Sequence, residues 1–167
     1  MLNGKLTTKN MARSGIIGAI YAAVTLLLYP ISYGGVQVRI SEALTLLPLI
    51  FPEAIIGLTI GCLIANFFGN GVIDIIFGTL ATLVAAVCTY FAGKKLKSKK
   101  SKIIVGGFFP VVLNAIVVPF TIAVASGSWE AYFIIALQVL LGQTIAVYVF
   151  GTFFYLGVEK LHKKKVL

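Results

Sequence analysis

Apolar residues run in long blocks along this chain, separated by short breaks rich in glycine, proline or lysine. Six blocks stand out: 10–30, 36 to the prolines at 48 and 52, 53–68, 71–93, 103–125 and 132–158. About 20 apolar residues make about 30 Å of helix, enough to cross the hydrocarbon core of a bilayer. The pattern predicts an all-α membrane protein: a six-transmembrane-helix bundle forming one integral membrane domain over 1–167. The second block is short, so its helix is expected to begin near Val36. Pro30 to Gly35 is expected to be a loop, because proline stops a helix and Gly34-Gly35 frees the backbone. Being short, aromatic and uncharged, it suits a lid. Phe51-Pro52-Glu53 reads as a tight turn, and Gly69-Asn70-Gly71 as another.

Composition agrees with the pattern. Mean hydropathy is +1.03 and only 11% of residues are charged, too apolar throughout for a soluble domain of this length. The net charge of +9 changes the picture through its distribution. Thirteen of the fourteen Lys and Arg residues fall in three groups: Lys5, Lys9 and Arg13; Lys94 to Lys102; and Lys160 to Lys165. With six crossings all three groups lie on one side, which the positive-inside rule makes cytoplasmic together with both termini. Five or seven crossings break this agreement. No nucleic-acid motif accompanies the lysine run, so nucleic acid is not an expected partner; contact with anionic membrane lipids is a secondary role. The start of the chain is too polar for a cleaved signal peptide. Cys62 and Cys88 are isolated in apolar blocks, indicating neither a disulfide framework nor a metal site.

Against this background the polar residues inside the blocks become conspicuous. Arg39 is the one basic residue outside the clusters, followed by Glu42, with Gln37, Ser41 and Thr45 nearby. Ionisable groups at membrane depth are costly and normally face a protein interior or a cavity. Three residues apart on a helix, Arg39 and Glu42 are either a local ion pair that steadies a helix start or a binding site. Asn66, Asn70 and Asp74 form a second polar group expected on the same membrane side; turn and cap roles compete with ligand contact. Asn114, between Pro110 and Pro119, either bonds the bent backbone or faces a ligand. Gln138 and Gln143 lie in an apolar setting. Trp129 is an interfacial anchor or a stacking platform.

Small residues recur at four-residue spacing in the first block (Gly15, Ala19, Ala23, with Gly18 and Ala22 beside them) and in the third (Gly57, Gly61, Ala65, Gly69). Such strips let helices approach closely in lipid. Spacing alone leaves open whether the helix facing Gly15, Ala19 and Ala23 belongs to this chain or to a partner.

Catalytic machinery is not visible. There is no glycine-rich phosphate loop ending in Lys-Ser/Thr, no assembled nucleophile and base, and the one histidine, His162, lies in the basic tail. The expected class is therefore not an enzyme. A self-powered secondary transporter is usually built from paired halves with broken helices, and none is evident.

The string VQVRISEALTLLP at 36–48, the small-residue strip and the six-block layout resemble the QueT family over nearly the whole chain. Its members are substrate-binding S components of energy-coupling factor (ECF) transporters assigned to queuosine precursors. The resemblance implies a multi-pass protein of the prokaryotic cell membrane that captures a 7-deazaguanine-type base from outside. It also implies docking, through Gly15, Ala19 and Ala23, onto a transmembrane coupling subunit with two ATPase subunits. ATP would be used by those partners, with no cofactor on this chain. For such a base, Glu42 is the first choice as acceptor of its N–H edge and Asp74 the second. Arg39 would orient Glu42 or contact the ring carbonyl. Asn66, Asn70, Asn114 and Gln138 are further polar candidates, and Tyr33 or Trp129 would cover the ring. The alternatives are an S component for another vitamin or nucleobase, or a secondary transporter.

Overall fold

A computed structural model describes residues 7–33, 38–69 and 71–164, and the regular structure among them is helical. In order come α1 (Thr8–Leu27), α2 (Tyr29–Ser32), a 3₁₀ helix (Ile40–Leu49), α3 (Ala54–Phe68), α4 (Val72–Lys95) and α5 (Lys99–Ser126). The chain ends in α6 (Tyr132–Thr144), a π-helix (Ile145–Gly151) and α7 (Thr152–Lys163). These last three run on as one 32-residue helix.

The first block behaves much as its pattern predicts. The Thr7 hydroxyl accepts a hydrogen bond from the Asn10 N–H at 3.3 Å, satisfying one of the free donors at a helix start. Tyr29–Ser32, however, is a turn of helix with Pro30 at its beginning, so the expected loop at Pro30 is corrected. Proline's missing N–H has no intrahelical partner to lose in a first turn. Gly34, Gly35 and Gln37 lie outside the described residues.

The second block departs furthest from expectation. It is a 3₁₀ helix that starts after Arg39, and Ser41 to Pro48 are all buried. It is the axis around which α1, α4, α5 and the π-helix pack. Runs of 3₁₀ beyond three or four residues are uncommon. Pro48 lacks an N–H, and Thr45 Oγ1 donates to the Glu42 carbonyl at 2.6 Å, which competes with an α-helical bond. A rise of about 2.0 Å per residue gives this segment roughly 20 Å, about a third more than an α-helix of equal length.

Glycine sets the contact between α1 and α3. A Cβ on Gly18 would lie 2.8 Å from the Gly57 carbonyl oxygen, and one on Gly61 would lie 2.6 Å from that of Gly18. The two backbones therefore touch, as small-residue packing in lipid requires. α1 buries Ser14, Ile17, Gly18, Tyr21, Ala22 and Thr25; Gly15, Ala19 and Ala23 are exposed on its other face. The expected turn at 69–71 includes Asn70, which lies outside the described residues; α3 ends at Phe68, α4 begins at Val72, and Gly71 has φ +85°, a conformation that suits glycine.

The lysine break is shorter than expected. α4 runs through Lys95 and α5 begins at Lys99, so most of the 94–102 run belongs to helix ends. Lys94 and Lys95 there complement the partial negative charge of the α4 C-terminus. Described members of all three basic groups, Arg13, Lys99 and Lys163, meet at one end of the bundle. Arg13 pairs with Glu53 and lies 4.1 Å over the Phe51 ring; His162 meets Phe51 edge-on at 5.0 Å. Lys99 and Lys163 both pair with Glu159.

Four helical stretches are long and apolar enough to cross a membrane: Thr8–Leu27, Val72–Lys95, Lys99–Ser126 and Tyr132–Lys163. Ile40–Leu49 and Ala54–Phe68 are apolar but shorter. Burial is inverted relative to a water-soluble protein. Leu27, Phe133 and Phe153 are 74–82% exposed, while Arg39, Glu42, Asp74, Asn66 and Asn114 are buried. This is the distribution of a multi-pass membrane protein.

Candidate functional site

The polar residues gather near the start of the 3₁₀ helix, away from the basic end. Arg39 does not pair with Glu42 as a local helix-steadying bridge. Its Nη2 lies 3.2 Å from Asp74 Oδ2, in the first turn of α4, and its Nη1 donates to Asn66 Oδ1 at 3.3 Å. The guanidinium also stands 4.7 Å over the Tyr33 ring. Around it the network closes. Asn66 Nδ2 donates to the Asp74 carbonyl at 3.1 Å, Thr121 Oγ1 donates to Asp74 Oδ1 at 3.3 Å, and Tyr33 Oη donates to the Ala65 carbonyl at 2.9 Å. Burial pushes the Tyr33 phenol up to about 12, so it keeps its proton at neutral pH. A buried ion pair is better tolerated when hydrogen bonds also reach its remaining donors and acceptors, and Asn66 and Thr121 supply such bonds here.

Glu42, 1% exposed, stands apart from that network. Tyr21 Oη donates to its Oε1, and Thr25 Oγ1 meets Ser41 Oγ at 2.6 Å, so the inner face of α1 holds the 3₁₀ helix by two side-chain contacts. Asn114, buried on α5, lies beside the carboxylate. Glu42 Oε2 nevertheless has no hydrogen-bond partner among the described residues. A buried acceptor left unmade costs about 1–3 kcal/mol, more when charged. Its chemistry suits the N–H donors of a ligand.

Among the other expected residues, Asn66 and Asp74 are brought together with Arg39, while Asn70 lies outside the described residues. Tyr33 has its ring against the Arg39 guanidinium. Gln138 is half-buried on α6. Trp129 is 55% exposed, packed against Phe120 and Tyr132 in an aromatic patch where α5 gives way to α6. Sequence reasoning missed Tyr21 and Thr121, common residue types in apolar helices that carry no signal until their partners are known. Gln143, also passed over as a site residue, is buried, and its Oε1 has no partner among the described residues.

On the outer face of α1, a groove of about 490 Å³ runs between α1 and α3, lined by Met11, Gly15, Ala19, Ile56 and Ile60 among others. Nothing lies within 4 Å of where a Gly15 Cβ would stand. The expected docking strip is thus open, and the contact within the chain is made by Gly18 instead.

Comparison with known proteins agrees with this architecture. A queuosine precursor transporter, QueT, of Lactococcus lactis subsp. cremoris (strain MG1363) is 39% identical over 82 residues, 48% of this chain and 48% of that one. The match thus spans about half the length of that relative. No solved structure matches. Residues 11–160 match the QueT transporter family; the chain belongs to that family.

Proposed function

We propose that this protein is the substrate-capture subunit of an ECF-type importer, binding a queuosine precursor of the 7-deazaguanine type. The observation that carries the reading is Glu42 Oε2, a buried acceptor without a partner among the described residues, in a chain of the QueT transporter family. The ligand's N–H edge supplies the missing donors, and Arg39, held by Asp74, keeps the neighbouring wall in place. The base enters from outside, and the chain crosses the membrane six times with both ends in the cytoplasm. That topology is supported by the meeting of the three basic groups at one end. The open groove at Gly15 and Ala19 supports docking on a transmembrane coupling subunit, whose two ATPase partners hydrolyse ATP.

Titration calorimetry of the purified protein against 7-deazaguanine bases and vitamins tests the substrate. Binding of a vitamin and of no 7-deazapurine makes it an S component of other specificity. Uptake into proteoliposomes is expected to require the coupling module and ATP; uptake on an ion gradient alone makes it a secondary transporter. Single cysteines at Ser98 and Ser128, in a background lacking Cys62 and Cys88, are expected to label from opposite sides. Labelling of both from outside removes the six-crossing topology.

A further inference from the structure

Where α4 and α5 approach the basic end, they leave a groove of about 340 Å³ between them. One wall is a stripe of α4: Cys88, Phe91, Ala92 and Lys95, spaced so that they share one helix face. Val105 and Phe109, four apart on α5, line the other. Ala92 is buried, while Phe91 beside it is half exposed, so a small residue lies low next to a large one. Next to these walls, buried Thr89 donates through Oγ1 to the Gly106 carbonyl at 2.7 Å, which fixes the spacing of the two helices. From Cys88 to Lys95 is about 10 Å of helix, roughly two-thirds of the hydrocarbon depth of one leaflet. The groove is thus apolar at depth and cationic where α4 ends.

That cation is not spoken for. Lys99 and Lys163 pair with Glu159, and Lys94 lies 4.8 Å from the centre of the Tyr90 ring. Lys95 has no ion-pair partner among the described residues, and no acidic side chain is among those lining the groove. The stretch from Lys94 to Lys102 holds six lysines and no Asp or Glu. Basic pockets between membrane helices attract anionic headgroups. A phospholipid offers the matching order of groups, a phosphodiester at the surface and an alkyl chain below it. In a zwitterionic lipid the headgroup's own ammonium competes with Lys95 for that phosphodiester.

We propose that this groove binds one anionic phospholipid, with an acyl chain between Phe91 and Phe109 and the phosphodiester beside Lys95. The site stands apart from Glu42 and does not depend on base capture. Its test moves the one tryptophan into the groove, by Trp129→Phe with Phe109→Trp. The protein is reconstituted in vesicles of dioleoyl phosphatidylcholine and dioleoyl phosphatidylglycerol, one or the other brominated in its chains. Fluorescence quenching then gives the relative affinity of the two lipids at the groove. At low salt phosphatidylglycerol is expected to be favoured about fivefold, the effect of one lysine near the surface. Lys95→Gln is expected to bring the ratio close to one. Lys163→Gln removes the same charge at the same end, outside the groove, and is expected to leave most of the preference.

A ratio near one with Lys95 present overturns the inference. So does a preference that survives Lys95→Gln, or one that falls equally in Lys163→Gln and so belongs to the whole basic end. Weak quenching by both lipids means that protein fills the groove, which overturns it as well. If Phe109→Trp does not fold, Phe91→Trp on the facing wall gives the same readout.

Discussion

The polar sets around Arg39 and Glu42 begin three residues apart on one stretch of chain, yet one is closed and the other is not. Arg39, Asp74, Asn66, Tyr33 and Thr121 are joined by an ion pair, hydrogen bonds and a ring contact, with partners from the loop and from α3, α4 and α5. Glu42 is held by Tyr21 on one oxygen and, among the described residues, has no partner on the other. A saturated buried network rigidifies the structure around it, whereas an unsaturated one carries a standing energetic cost. The difference separates framework from site more sharply than burial or charge, which the two sets share.

Breaking the closed set is expected to have the largest effect. Asp74→Ala leaves the Arg39 charge buried without its counter-ion, a loss of about 3–5 kcal/mol. Thermal unfolding in detergent is expected to show a large drop in stability even without ligand. A small shift would mean that the two sets are not distinct in kind.

Changing the open set is expected to act on binding instead. Glu42→Gln replaces an acceptor by a donor that faces a donor, costing about 1–3 kcal/mol or more of affinity, roughly five- to a hundred-fold or beyond. The ligand-free protein should unfold near the wild-type temperature. Near-wild-type affinity in a folded variant would remove the acceptor role of Glu42 and with it the distinction between the two sets.

The smallest effect on fold and ligand is expected outside both sets. Ala19→Leu adds side chain to the open groove and should leave affinity for the base unchanged. Co-purification with the coupling module, and uptake, should fall because close helix approach is blocked. Lost ligand binding with intact docking would assign the strip to internal packing.

The long blocks were legible because spans of apolar sequence have few alternatives in a bilayer. Arg39, Glu42, Asp74, Asn66 and Asn114 were legible because polar groups are anomalous there. Their partners were not: Arg39 meets Asp74 across 35 positions of sequence, and the tempting neighbour at three residues is not the one it uses. The 3₁₀ and π segments were hidden for a related reason, since both keep an apolar helical composition and differ in hydrogen-bond register. Which of α1's two small-residue strips faces inward is decided by the glycines of α3, not by any feature of α1 itself.

The backbone contact of Gly18 with Gly57 and Gly61 also has a mechanical meaning. Helices separated by side chains can slide or roll by repacking rotamers, but carbonyls seated against Cα atoms leave no such slack. α1 and α3 are thus a single stiff plate: one face carries Tyr21 and Asn66 towards the polar centre, the other presents Gly15 and Ala19 outward. Turning one face turns the other by the same angle.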